Sequence, residues 1–322
     1  MTEELFSEFQ AYLLKRDRSA LTIKGYLADV QLFARWFAQT NSEAFAPQAV
    51  TPSDVREYRQ HLLNVERRKA NTINRKLAAL SVFMRFAIDA RLIEHDPTTQ
   101  IKYVEESPRG PKYLDKQEQF ALQRAIEKDL QFSQARYPKR WLSRRRDASL
   151  VLFLLHTGLR VSEAIALTKR DVCLSERKGQ VTVRGKGQKQ RTVPLNAEAR
   201  KALQAWLDVR PDTADDSVWV SLAVTCGGVS HRETVDTETE AGLSARSVQR
   251  VLKRYGRAAH IAALTPHVLR HCFGKNLIDA NVSLEKVAAL LGHSNLNTTR
   301  IYITPSDQDL AQAVEKPLAG MG

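Results

Sequence analysis

A mainly helical protein in two parts, with one small β-hairpin or sheet, is the fold class that this sequence predicts. It comprises an N-terminal helical bundle followed by an α+β domain. Three observations predict it. Apolar residues recur at three- and four-residue spacing through residues 1–104. Ser107-Pro108-Arg109-Gly110-Pro111 then interrupts any regular structure, marking a linker over 105–112 and a second domain over 113–322. Within that second part, residues 180–195 alternate around a Gly-Lys-Gly turn while the segments around them keep helical spacing.

The bundle is read element by element. Leu5, Phe6, Phe9, Tyr12 and Leu13 form one stripe, and Tyr26, Leu27, Val30, Phe33, Ala34 and Phe37 another. A third helix is predicted from Pro52 through Leu63, with Thr51 as its cap and proline in the first turn. A fourth spans Asn71 to Ala90, carries Ile73, Leu77, Leu80, Phe83 and Ile88, and stops before Asp96-Pro97. Around its start cluster Arg67, Arg68, Lys69, Arg75 and Lys76, which suit either a solvated face or a phosphate-contacting one.

In the second part, helices are predicted around Asp115–Lys128 and Arg146–His156, then over 197–209, 244–260, 266–279, 283–291 and 306–316. Two stretches break the rhythm and read as insertions. Residues 128–146 are basic and polar, with Lys139, Arg140, Arg144 and Arg145; residues 225–242 are rich in Thr, Glu and Gly.

Across 322 residues, 49 Lys and Arg stand against 36 Asp and Glu, a formal charge of +13 concentrated in the C-terminal part. Such an excess favours a polyanionic partner, because neutralising phosphates releases condensed counterions. Arg246, Arg250, Lys253 and Arg254 add a basic helix to the candidate contacts. Cys173, Cys226 and Cys272 form no CxxC pair and leave one over, so reduced thiols are expected and no disulfide framework. Met1-Thr2-Glu3-Glu4 lacks the basic start of a signal peptide, and no apolar run approaches the ~18 residues of a membrane span. A soluble, cytoplasmic, nucleoid-associated protein is expected, with no membrane partner.

The C-terminal half carries side chains that can move a phosphoryl group, each in a short motif. Arg160 lies in Gly158-Leu159-Arg160-Val161-Ser162-Glu163, just after a helix closing at Thr157-Gly158. A guanidinium there can offer a planar fork to two phosphate oxygens, with Glu163 holding it; alone, it is also an ordinary surface arginine beside a helix end. Lys186, between Gly185 and Gly187 at the hairpin tip, can approach a phosphodiester, and it is equally a basic turn. It belongs to no Walker loop, because glycine follows the lysine. Thr265-Pro266 starts a helix that sets His267, Arg270 and His271 on one face, an imidazole to move a proton beside a guanidinium to hold charge. A zinc site there would lack a completing carboxylate or cysteine, so no metal is expected. His293 follows Gly292 at a helix end, and Tyr302 comes nine residues later; a phenol titrating near 10 needs acceptors and cations around it to attack.

In order, type and context these motifs resemble the tyrosine recombinases, the phage-integrase superfamily that includes the Xer proteins. The resemblance runs over nearly the whole chain. Leu21 to Tyr26 and Thr72 to Leu77, through Glu94-His95-Asp96-Pro97-Thr98, are similar to that family's core-binding helical domain. Gly158 to Glu163, Gly185-Lys186-Gly187 with Arg191-x-x-Pro194-Leu195, His267-x-Leu269-Arg270-His271, Leu291-Gly292-His293 and Tyr302 are similar to its catalytic signatures.

The resemblance implies a site-specific recombinase acting without metal or cofactor. Tyr302 would attack the scissile phosphate to give a 3′-phosphotyrosyl link. Arg160, Arg270 and His293 would bind the non-bridging oxygens, Lys186 would protonate the leaving 5′-oxygen, and His267 would assist at the tyrosine. Glu163 would support them. It implies double-stranded DNA with inverted-repeat core sites as partner, and a homo-tetramer joined by exchange of the helix over 306–316. An accessory protein or a second recombinase is a further possible partner. Two other readings stay open: a type IB topoisomerase-like enzyme, and a non-catalytic DNA-binding protein of the same fold.

Overall fold

The computed structural model describes residues 2–105, 112–185, 190–222, 242–293 and 295–303. Lys186, the proline-rich core of the linker, most of 225–242 and the segment 306–316 lie outside the described residues. The chain divides into two compact units, Met1–Arg109 and Gly110–Gly322.

The first unit is built from α1 (Thr2–Lys15), α2 (Ala20–Asn41), α3 (Pro52–Gln60) and α4 (Ala70–Asp89). Ser19 caps α2 through its side chain, and Thr51 with Asp54 forms a reciprocal capping box on α3. The last turns of the expected third helix widen into a π-turn, His61–Val65. The predicted stripes meet in one core: Phe9 and Leu13 of α1, Val30, Phe33 and Phe37 of α2, and Ile73, Leu80 and Phe83 of α4. Among the described residues, a buried ion pair lies beside it, Asp29 with Lys76. Asp29 is buried and takes bonds from both Arg75 and Lys76, the lysine at 3.4 Å. Lys76 is therefore only 7% exposed, and the phosphate-facing position expected for it is an internal one.

The second unit opens with α5 (Lys116–Arg136) and α6 (Trp141–Thr157), separated by a short turn. The stretch 128–146, expected as an insertion, is thus almost wholly helical. Several of its charges, Asp129 and Arg144 to Arg146, pair inward. Arg144 bonds Asp129 at 3.0 Å, Arg146 bonds Asp147 at 2.6 Å and the Val220 carbonyl at 2.9 Å, and Arg145 reaches the Ala205 carbonyl at 3.2 Å. Helix α6 is the centre of the unit, buried from Arg146 to Val151 and packed against α5 and against three later helices, Ala197–Leu207, Ala245–Ala258 and Pro266–Asp279.

After α7 (Val161–Ile165), an antiparallel sheet of β1 (Val172–Leu174), β2 (Gly179–Arg184) and β3 (Gln190–Pro194) follows in sequence order. The hairpin is the predicted one; β1 was not foreseen. Val181, Val183 and Val193 face the core, with Val181 opposite Val193 and Val183 opposite Arg191. Helices α8 (Ala197–Leu207), α9 (Ala245–Ala258), α10 (Pro266–Asp279) and α11 (Leu284–Leu291) complete the unit, each within two residues of the predicted bounds. Two 3₁₀ turns, Leu296–Thr298 and Arg300–Tyr302, carry the tyrosine. Among the described residues no helix is long and apolar enough to cross a membrane.

Candidate active site

Two helix ends build the site. Helix α6 closes at Gly158 (φ +61°) and α11 at Gly292 (φ +67°), both left-handed caps that strain any side chain. Such ends leave carbonyls unsatisfied and carry partial negative charge. Arg270, on α10, answers both: its Nη1 donates to the Gly158 carbonyl at 2.7 Å and its Nη2 to the Leu291 carbonyl at 2.6 Å. The side chain is 5% exposed. Burial, and then the neighbouring Arg160 guanidinium, press its pKa down to about 10, so it remains a cation at neutral pH.

Gly158 has no alternative here. A Cβ would lie 2.4 Å from the Phe273 ring and 2.9 Å from Leu291, so the helix end and α10 touch backbone to side chain.

Arg160 stands at the start of α7. Glu163, one turn on, accepts from the Arg160 backbone at 2.9 Å and from its Nη1 at 2.9 Å. Arg160 Nη2 also reaches the Gly292 carbonyl at 3.3 Å. The side chain keeps 42% exposure, so this guanidinium is held by one edge and open to solvent at the rest. Burial pushes the Glu163 carboxyl up, but bonds from Arg191 and Arg160 outweigh it and hold the pKa at about 2.

Tyr302 is buried, at 3% exposure, against Val287 and Leu291. Its ring lies over Gly274 of α10, where a Cβ would come within 2.8 Å of it. The phenol oxygen sits 3.0 Å from His271 Nδ1. Burial raises the phenol's pKa and the Arg270 charge lowers it in part. His293 lies parallel to the Tyr302 ring, centroids 6.5 Å apart, with Nδ1 2.8 Å from Thr299 Oγ1. Burial and then the Arg270 and Arg160 charges bring His293 down to about 4, so it is neutral at pH 7. His271 is lowered too, by burial, His267 and Arg270.

The structure therefore gathers Arg160, Glu163, Arg270, His293 and Tyr302 into one cluster. His267 is exposed in the first turn of α10, and the imidazole on the phenol is His271 instead. Two further residues were not expected in roles. Arg191 forks onto Glu163 at 2.8 and 2.9 Å, and Thr299 holds His293. Arg191 lay in a motif already singled out and Thr299 between His293 and Tyr302; the partner of each is set by the fold.

The basic residues divide by placement. Arg67, Arg68, Lys69 and Arg75 are exposed in the first unit, although Arg68 bonds Glu66 at 2.6 Å and Arg75 bonds Asp29. Lys139 and Arg140 are exposed in the α5–α6 turn, and Arg246, Arg250 and Lys253 along α9. Arg250, Lys253, Arg254 and Arg257 line one groove there. Lys76, Arg144 and Arg254 are instead engaged inside the fold, Arg254 with Asp147 at 3.0 Å.

Known proteins match this architecture. The Phage integrase family model matches residues 130–309, and that of the phage integrase N-terminal SAM-like domain matches residues 6–91. The chain is 30% identical to tyrosine recombinase XerC of Syntrophus aciditrophicus (strain SB), over 94% of each protein. It is 31% identical to tyrosine recombinase XerA of Thermococcus kodakarensis, over 97% of this chain and 95% of that one. Among solved structures, XerH site-specific recombinase bound to palindromic difH substrate, in its post-cleavage complex, shares the fold. Its TM-score is 0.71 at 22% identity, with 95% of this chain and 84% of that chain covered. With a family model matched over more than half of its length, and relatives matched end to end, this chain belongs to the phage integrase family of tyrosine recombinases.

Proposed function

We propose that this chain cuts and rejoins DNA strands at specific sites through a 3′-phosphotyrosyl intermediate on Tyr302. One observation carries the reading: two arginines are fixed on converging helix ends beside a tyrosine and a neutral histidine. That is a site for a pentavalent, dianionic phosphorus centre, with donors placed before the charge develops.

The steps balance without an outside reagent. The phenol oxygen of Tyr302 forms a bond to the scissile phosphorus, and its proton passes to a neutral imidazole. His271 is the one in contact, and His267 is the expected assistant. The bond from phosphorus to the 5′-oxygen breaks, and Lys186 supplies the proton that leaves with it. Arg160, Arg270 and His293 donate to the two non-bridging oxygens throughout; one such donor contributes on the order of 10²–10³ in rate. Glu163 holds Arg160. The phosphotyrosyl ester keeps the energy of the broken bond, so a 5′-hydroxyl from another strand reverses the step on a new partner. In the buried position Tyr302 is shielded, and attack requires the Arg300–Tyr302 turn to bring the ring out towards DNA.

Exchange between two duplexes means four strand cuts, and one tyrosine per chain makes one cut. A homo-tetramer on two inverted-repeat sites follows, joined through the segment 306–316, with a second recombinase or an accessory protein as possible company. Backbone contacts fall to the exposed cations Arg67, Arg68, Lys69, Arg75, Lys139, Arg140, Arg246, Arg250 and Lys253. Lys76, Arg144 and Arg254 serve these surfaces by holding the helices that display them. The working place of such a protein is the nucleoid.

The test is covalent trapping. Nicked duplexes carrying candidate inverted repeats, incubated in EDTA, should give a slow protein–DNA band with wild type and none with Tyr302→Phe. An equal band from Tyr302→Phe would overturn the assignment.

A further inference from the structure

Arg191 bonds to no group proposed to meet the phosphate, yet it contacts Glu163, which holds Arg160, and the α11 end, which takes Arg270 and leads into His293. It stands one residue into β3, opposite Val183 of β2. The guanidinium meets Glu163 fork to fork: Nη1 to Oε1 at 2.8 Å and Nη2 to Oε2 at 2.9 Å. Glu163 Oε1 also receives Arg160 Nη1, so the carboxylate is shared between two arginines. Nη2 reaches the Leu291 carbonyl at 3.4 Å, the same oxygen that takes Arg270. The planar head lies on Gly292, where a Cβ would be 2.7 Å from Arg191 Cζ. Gly292 in turn offers its carbonyl to Arg160 and is followed by His293. The side chain is 19% exposed, which suits a strut more than a surface charge.

We propose that Arg191 is a positioning residue for the cleavage step, locking the β-hairpin to the Arg160 turn and to the α11 end that carries His293. The proposal rests on the phosphate-clamp reading of Arg160. Loss of Arg191 would let Glu163 and Arg160 re-pair freely and would unseat β3. Misplacement of this kind slows chemistry by about 10²-fold while leaving ground-state binding alone. A residue that merely stabilises the fold would lower the active fraction equally for every substrate.

The experiment compares wild type, Arg191→Ala, Arg191→Lys and Arg160→Ala in the full chain. Single-turnover cleavage of a nicked duplex is measured at saturating protein, with Kd by mobility shift and a melting curve for each variant. A second duplex carries a methylphosphonate at the scissile position, which removes one charged non-bridging oxygen. Arg191→Ala should cleave the phosphate duplex about 10²-fold more slowly with Kd within about two-fold, and Arg191→Lys should recover roughly ten-fold of that. On methylphosphonate the gap between Arg191→Ala and wild type should shrink to less than about ten-fold, because the clamp has less charge to meet. Should Arg191→Ala fail to fold, Arg191→Lys carries the test; it keeps the charge and stem but lacks the fork. Wild-type rates in both variants beside an inactive Arg160→Ala would overturn the role of Arg191, as would the same loss on both substrates. A fully active Arg160→Ala would instead remove the clamp reading, and this proposal with it.

Discussion

Replacing Gly158 by alanine should destabilise the catalytic unit by about 2–5 kcal/mol. The φ of +61° places an L-residue in the left-handed region, at about 1–2 kcal/mol. The new Cβ would lie 2.4 Å from Phe273 Cδ1 and 2.9 Å from both Phe273 Cγ and Leu291 Cδ2. Ordinary carbon contacts are ~3.5–4.0 Å, so α10 or α11 must shift by about an ångström, and overpacking of that size costs about 1–3 kcal/mol. For a unit of this size each 1 kcal/mol moves Tm by about 2–4 °C, giving a fall of roughly 4–20 °C. The assay is a thermal melt followed by calorimetry, with Gly25→Ala as the internal comparison. Gly25 lies within α2 and a Cβ there meets nothing within 4 Å, so that change should be neutral or stabilising by up to about 1 kcal/mol. Because the Gly158 carbonyl also seats Arg270, Gly158→Ala should cleave DNA about 10²-fold more slowly even far below its melting point. A Gly158→Ala melt within about 2 °C of wild type, or no difference from Gly25→Ala, would mean that the left-handed backbone and close contacts at Gly158 do not constrain the unit.

Three further outcomes are expected. Asp29→Ala leaves the buried Lys76 ammonium without its carboxylate and should cost about 3–5 kcal/mol, seen as a lower denaturant midpoint for the first unit; an unmoved midpoint would mean the lysine reaches water. His293 is lowered from 6.5 to about 4, so the unfolded chain binds the extra proton and stability should decline as pH falls through that interval; Glu163, held at about 2 against 4.5, contributes stability that is lost between those lower values. Tm against pH should be flatter in the upper interval for His293→Asn, and an unchanged slope would contradict the burial of its imidazole. Neutralising Arg250 and Lys253 to Gln should reduce the slope of log Kd against log salt by ~0.9 per lost phosphate contact, whereas Arg254→Gln should chiefly lower Tm through Asp147; an identical salt slope would remove α9 from the DNA surface.

The bundle was legible because its stripes are long and strictly periodic, and the hairpin because Val181, Val183 and Val193 alternate around a glycine turn. The stretch 128–146 was not, since its helix buries ion pairs; Asp129 and Asp147, the partners of Arg144, Arg146 and Arg254, carry no signal of burial in a linear reading. Lys76 failed in the same way. Beside Arg75 it reads as part of a basic cluster, and Asp29, which draws it inside, lies 47 residues earlier. Strand β1 has three residues and an exposed Cys173, too short for alternation to show. In the site, motif order identified the cluster, but helical spacing puts His267 and His271 on the same face. Which of them meets Tyr302 depends on how the Arg300–Tyr302 turn approaches α10, a tertiary fact. Arg191 carries a motif match but no role until its carboxylate, 28 residues earlier, is placed opposite it.

In the proposed reaction Tyr302 becomes bonded to the 3′-phosphate of the cut strand. The direct measurement is mass spectrometry of the trapped adduct after proteolysis and nuclease trimming. A nucleotide mass is expected on the peptide containing Tyr302, retained after alkali that eliminates phosphoserine esters and acid that hydrolyses histidine phosphoramidates, with a free 5′-hydroxyl on the released strand. A nucleotide on any other residue, or a released strand ending in 5′-phosphate, would contradict it.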